Sequence, residues 1–306
     1  MMTRRTFTAT AALAAASACI SRPAPTPRVL GLQTYMLGPD IAADLPGAFA
    51  RVAAIGYGEI ELPGLYNQSP QQLRAMIDAA GLRCPSVHVP LHPFPGVTIN
   101  FENGVSAVAD TAHALGAEYV VVPMVPWPTT PQFASREEVI PALVRSTQAM
   151  TVDDWRRAGE TFNRLGAGLA REQLKLAYHN HNLEFLRVGD SSGIELLIAH
   201  TDPGLVHLEV DIGWVAAAGM NPASFIARHA ARVKLLHLKD MKATPANTAL
   251  TFTASDVGQG VVDFAAVLAA ARQAGVEHYF VEQEPPFVRP PMESAATAFD
   301  FLRPQL

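Results

Sequence analysis

Short β-rich runs alternate along the chain with longer stretches of helical period. The strand-like runs are "VLGLQT" (29–34), "GEIEL" (58–62), "CPSVHV" (84–89), "AEYVVVP" (117–123), "LKLAYHN" (174–180), "LVHLEVD" (205–211), "RVKLLHLKD" (232–240) and "HYFVEQE" (278–284). Helical patterning fills 40–55, 69–81, 101–116, 151–171, 192–200, 221–231, 263–275 and 293–302. Punctuation supports several of these: Ser69 caps a helix that has Pro70 in its first position and Gly81 past its end, and Thr151 with Asp154 has capping-box spacing. Strands that alternate with helices predict a parallel sheet, and eight such units over this length match a closed barrel. The competing open, doubly wound sheet would carry a Gly-rich phosphate turn after its first strand. "YMLGPD" in that place has none. The expected fold class is therefore α/β, a single (β/α)8 TIM barrel, with long loops at 123–150 and 240–260 as candidate lids.

Chemistry-bearing side chains gather at the carboxyl ends of these strands, where such barrels keep their active sites. Gln33 ends strand 1, Glu61 strand 2 and His88 strand 3; His179 and His181 end strand 5 and Asp211 strand 6; His237 ends strand 7 with Lys239 and Asp240 beyond; Glu282 and Glu284 end strand 8. An ionisable group in an apolar strand is costly unless paired or ligated. Any one of them alone is more simply a satisfied rim residue; the joint pattern is what points to a site. Asp211, His237 and Glu282 form a mixed oxygen and nitrogen set suited to a divalent ion such as Mn, Zn, Co or Fe. His179 is placed as the fourth ligand and His181, two residues on, toward substrate. Glu184 either orients a histidine or contacts substrate, and Trp214 is either a packing residue or a stacking platform. Asn180 and Asn182 alternate to the other side, where they are placed to pin loop backbone.

Composition narrows the partners. The 306 residues carry 23 basic and 28 acidic side chains, for a net charge of −5, and no Lys/Arg block. That argues against a nucleic-acid surface. The mature chain has no apolar run of membrane-spanning length. Residues 1–27 read differently: Arg4-Arg5 precede Phe7, an Ala-rich apolar run and small residues, which resembles a twin-arginine export signal followed by a Pro-rich linker. "LAAASAC" also resembles a lipoprotein cleavage box with Cys19 as the anchor residue, although Ala16 stands where Leu is usual. These expectations place the barrel at 28–306, in the periplasm or on a membrane through a lipid. Without Cys19 only Cys84 remains, so no internal disulfide forms.

"GLQTY", "YHNHNLEF", "LEVDIGWVAAAG", "RVKLLHLKD", "GQGVVDF" and "YFVEQE" together resemble the sugar phosphate isomerase/epimerase group of the xylose isomerase-like TIM barrels, over about residues 28–303. The resemblance implies a divalent metal held by an acid after strand 5, an Asp on strand 6, a His on strand 7 and a Glu on strand 8. Asp211, His237 and Glu282 match; His179 departs, standing where many members have Glu. It implies a metal-dependent sugar isomerase or epimerase that removes a proton next to a carbonyl through a metal-stabilised enediolate, with Glu282 and His181 as the acid/base groups. Gln33, Glu61, His88, Glu184, Trp214, Lys239 and Glu284 would line the pocket for a small sugar or sugar derivative. Relatives often pair through their barrels, which leaves a homodimer open. The His-for-Glu change puts a symmetric two-base mechanism in doubt and favours an alternative: a lyase or hydratase acting on 3-keto sugars or keto-glycosides. A non-catalytic sugar-binding barrel is the remaining rival.

Overall fold

The structure, a computed structural model, describes residues 29–94, 96–131 and 135–306. The stretch expected to be an export signal, with Cys19, lies outside the described residues. Eight parallel strands close on themselves: β1 (Leu30–Gln33), β2 (Glu59–Leu62), β3 (Arg83–His88), β4 (Tyr119–Val122), β5 (Lys175–His179), β6 (Val206–Asp211), β7 (Val233–Leu238) and β8 (His278–Val281). Each pairs with its sequence neighbours, and β1 closes the ring against β8. Outward-facing Leu32, Ile60, Val120, Leu176, Leu208 and Leu236 pack beneath the helices with Phe49, Trp155 and Phe162. Burying each such side chain contributes roughly 1.5–3 kcal/mol, which makes this ring of contacts the main source of stability.

The inner face is layered. A floor of Tyr119, Val121, Ala177, Leu235 and Phe280 fills the lower barrel. Gly31 is required there, because a Cβ on it would lie 2.5 Å from the Phe280 ring. Above the floor the inward positions turn polar. Two register shifts set their level. One, between Leu208 and Glu209, puts Asp211 opposite His237. The other, between Glu59 and Glu61, puts Glu61 opposite Ser86, next to Pro85 in β3, a residue that cannot donate to the ladder.

The capping boxes form as the spacing predicts at Ser69/Gln72 and Thr151/Asp154. Elsewhere the elements differ from expectation. The 40–55 stretch is two helices, Gly38–Ala43 and Leu45–Ile55, because Asp44 leaves helical geometry and caps the second. The Pro-rich 123–150 loop contains a helix, Val139–Gln148; Pro141 falls in its first turn, where a missing N–H costs nothing. A short helix, Ile212–Ala217, follows β6 directly. After β7 the chain forms a flap tied at its base by Asp240–Met241 pairing with Ala254–Ser255.

Candidate functional site

Asp211 is shaped by the chain on either side of it. It caps the Ile212–Ala217 helix, its Oδ1 accepting from Trp214 N at 3.0 Å. Its backbone is clamped by Asn180, which accepts from Asp211 N at 3.2 Å and donates to Asp211 O at 3.4 Å. With Oδ1 used by the cap, Oδ2 is turned inward and buried, 2.8 Å from the Lys239 ammonium. His237 Nδ1 lies 3.9 Å and His179 Nε2 4.0 Å from that oxygen. Glu282 Oε2 is 3.1 Å from His237 Nδ1. Two atoms that share one ion at about 2.0–2.2 Å lie roughly 3–4.2 Å apart, so these separations suit a common cation.

Each histidine has its other nitrogen fixed by a carboxylate deeper in the barrel. His179 Nδ1 donates to Glu209 Oε2 at 3.0 Å and His237 Nε2 to Glu61 Oε2 at 2.6 Å. This is how ligating imidazoles are oriented: an outer carboxylate holds one nitrogen and the other faces the metal. His88 ties the two carboxylates together, its Nε2 3.1 Å from Glu61 and 2.9 Å from Glu209. Gln33 Nε2 donates to Glu61 at 2.7 Å, and Ser86 Oγ also donates to it. His88, His179, Glu209 and His237 also lie close enough to hold an ion. The hydrogen bonds that Glu61 and Glu209 accept from the two rings favour the upper set, in which Asp211, His237 and Glu282 lie close enough to share an ion and His179 stands at the edge, 4.0 Å from Asp211.

Electrostatics supports the same assignment. Burial would depress His237, but Glu209, Glu282 and Glu61 outweigh it and hold the ring well above its ordinary value. His88 is likewise lifted to about 9 against burial, by Glu61 and Glu209. Burial and the His237 charge push His179 well below its usual value. In the cluster, Glu61, Glu209, Asp211, Glu282 and Glu284 therefore face three cations: Lys239 and the charged His88 and His237 rings. The surplus shows in the acids: burial and the charge of Glu61 raise Glu209 to about 7, and burial with Glu282 raises Asp211 despite Lys239.

Several residues expected to line a sugar pocket do other work. Gln33 and Glu61 are fully buried and His88 nearly so; they form the layer beneath the cation site. Glu184 turns away from the mouth, accepting from the Tyr178 hydroxyl at 2.6 Å and from His181 N at 2.8 Å. It fixes the backbone of the histidine loop, because the strand's alternation has ended before it. Trp214 is packed against Phe252, and its Nε1 donates to Glu284 at 3.2 Å. Lys239 is buried, 2.8 Å from both Asp211 Oδ2 and Glu282 Oε2 and 2.5 Å from Glu284 Oε1. Burial would raise Glu282, but Lys239 and His237 hold it well below the usual carboxylate range. That suits a ligand better than the proton acceptor expected of it. Asp240, placed beyond strand 7, instead accepts from Gly258 N, Gly260 N and Val262 N. Asn182 pins the flap, bonding Asn247 and Leu250. Ser86 escaped sequence reading because a serine within a strand carries no pattern signal.

Two polar groups at the mouth keep access to solvent. His181 is half-buried, with its Nδ1 unpartnered; burial and the Lys239 charge push it down to about 3, so the ring is neutral. The Glu284 side chain is 24% exposed. Together they flank the place where a substrate would meet Asp211, His237 and Glu282.

A family model described as "Xylose isomerase-like TIM barrel" matches residues 49–305. An inosose dehydratase from Geobacillus kaustophilus (strain HTA426) is 28% identical over 219 residues, 65% of this chain and 66% of that protein, just short of two thirds of its length. An inosose dehydratase from Lacticaseibacillus casei is 24% identical over 258 residues, 79% of this chain and 84% of the relative. Among solved structures, a sugar phosphate isomerase/epimerase from Parabacteroides distasonis ATCC 8503 superposes with a TM-score of 0.70 at 25% identity, covering 92% of this chain and 96% of that one. The chain belongs to the xylose isomerase-like TIM barrels.

Proposed function

We propose that this protein is a metal-dependent lyase that removes water or an alcohol from an uncharged keto-polyol or keto-glycoside. The observation that carries the reading is the pair of imidazoles at the end of β5: His179, its last residue, faces Asp211, and His181, two residues on, stands beside it as a neutral base whose Nδ1 has no partner. The inosose dehydratases among its relatives support elimination over isomerisation. His179, Asp211, His237 and Glu282 would hold a divalent ion, which supplies a Lewis acid for the carbonyl and a neighbouring hydroxyl. His181 accepts the proton from the carbon next to the carbonyl. The electron pair of that C–H bond forms the carbon–carbon double bond as the bond to the β-oxygen breaks. Glu284, whose carboxyl burial raises, is placed to give the departing oxygen its proton. Among the described residues, Lys239 is the one Lys or Arg side chain in contact with this cluster, and three carboxylates already engage it. Phosphorylated or carboxylated substrates would add anions to a site already rich in them, which favours a neutral substrate.

An isomerase or epimerase remains the second reading, favoured by the sugar phosphate isomerase/epimerase that shares the fold at 25% identity. One experiment separates the two. The metal-loaded protein is incubated in heavy water with a panel of keto sugars, inososes and 3-keto-glycosides, and products are read by NMR. Loss of a β-substituent with an enone product supports the lyase. A deuterated epimer or isomer with every oxygen retained rejects it.

A further inference from the structure

The metal-site reading leaves one group unexplained: a buried ammonium among the ligands. The Lys239 stem follows β7 inward and passes Gly213, where a Cβ would lie 2.8 Å from its Cγ and 2.9 Å from its Cβ. The glycine thus keeps a channel for this side chain. At its end Nζ lies 2.8 Å from Asp211 Oδ2 and 2.8 Å from Glu282 Oε2, the oxygens that face the two histidines. Trp214 and Phe252 wall it in, their ring centres 5.1 and 5.7 Å away. An ion bound to Asp211 Oδ2 at about 2.1 Å can be no farther than about 5 Å from the ammonium. At that range, inside a buried site, two cations repel strongly.

We propose that Lys239 sets the metal affinity of this site, gathering Asp211 and Glu282 while the ion is absent and opposing the ion once it arrives. Glu284 moderates that opposition, because it draws the same ammonium toward the rim at 2.5 Å. Lys239 is a positioning residue in this scheme, acting on the ligands rather than on substrate. The inference rests on the metal-site reading above, yet it concerns binding alone and needs no substrate.

The test is calorimetric titration of chelator-treated full-length protein with Mn²⁺ and Zn²⁺, paired with thermal unfolding with and without metal. Lys239→Met, which keeps the buried stem, is expected to bind metal at least tenfold more tightly while its metal-free form melts lower than wild type. Glu284→Gln leaves the ammonium wholly to Asp211 and Glu282 and is expected to bind metal several-fold more weakly. Because Glu284 is partly exposed, this second variant tests the idea even where Lys239→Met does not fold. Unchanged or weaker metal affinity in Lys239→Met, or unchanged or tighter affinity in Glu284→Gln, overturns the proposal. No uptake by the wild-type protein overturns it together with the metal-site reading; uptake with the wrong variant response overturns it alone.

Discussion

The two ends of the barrel are both polar, and they are polar in different ways. At the amino end, Glu59 accepts from Arg83 at 2.6 Å and from His278 at 2.9 Å. Glu277 accepts from the Tyr119 hydroxyl at 2.8 Å and from Lys175 at 3.1 Å, with Lys234 3.7 Å away. The cations there reach water: the Arg83 side chain is 65% exposed and that of Lys175 42%. Each acid has its counter-charge, and the apolar floor separates this plug from the upper cluster. At the carboxyl end the acids outnumber their cations, and Asp211, Glu282 and Glu284 all share the ammonium of Lys239. Matched charge at one mouth serves folding; unmatched charge at the other marks a place where something else must bind.

The largest effect that would test this contrast is at the upper end. Glu282→Gln should cost several kcal/mol of transition-state stabilisation, on the order of 10³-fold in kcat/KM, measured by steady-state turnover; activity near wild type would remove Glu282 from the site. His181→Ala should lower kcat by about 10²-fold or more with metal content by elemental analysis unchanged. Co-loss of metal would instead place His181 among the ligands.

The pH response comes next. In the metal-free protein His88, lifted to about 9, contributes stability that is fully present below about 6.5 and lost as pH climbs through 9, and His237, also raised, acts in the same direction. Metal binding needs His237 unprotonated on one nitrogen, so metal affinity should rise with pH. Titrations at pH 6.5 and 9 check this; a flat profile contradicts the charge assignment. At the lower end, Glu59→Gln strips a buried acceptor from His278 and Arg83 and should cost about 1–3 kcal/mol in denaturant unfolding, with turnover per folded molecule unchanged. Smallest of all, Glu277→Gln breaks a largely solvated pair and should cost no more than about 1 kcal/mol.

The sequence disclosed the strand count, the strand ends and the acids and histidines that gather at the carboxyl rim, because each rests on local periodicity and on the cost of burying charge. His179, Asp211, His237 and Glu282 could be selected since all sit on inward positions at strand ends. What it hid was depth. Gln33, Glu61 and His88 share the inward face with the ligands, and no pattern tells a layer that supports from a layer that touches substrate. Depth follows from register, and the shifts at Glu209 and Glu61 are set by pairing between strands distant in sequence. For Glu184 the sequence left two roles open, and the structure favours the one that fixes a histidine: past His179 the alternation stops, and a tertiary turn sends its carboxylate to Tyr178 and to His181 N. The helix at Val139–Gln148 was obscured by Pro141, which reads as a breaker unless its place in the first turn is known.

The Phe280 floor has a consequence for traffic. Because Gly31 lets that ring fill the barrel below the cluster, an ion and a reactant, if bound, would enter and leave by the upper mouth. An ion seated among Asp211, His237 and Glu282 can then leave only when that mouth is vacant. Occupancy by a reactant or an unreactive mimic would act as a stopper, slowing extraction by chelators in proportion to its residence time.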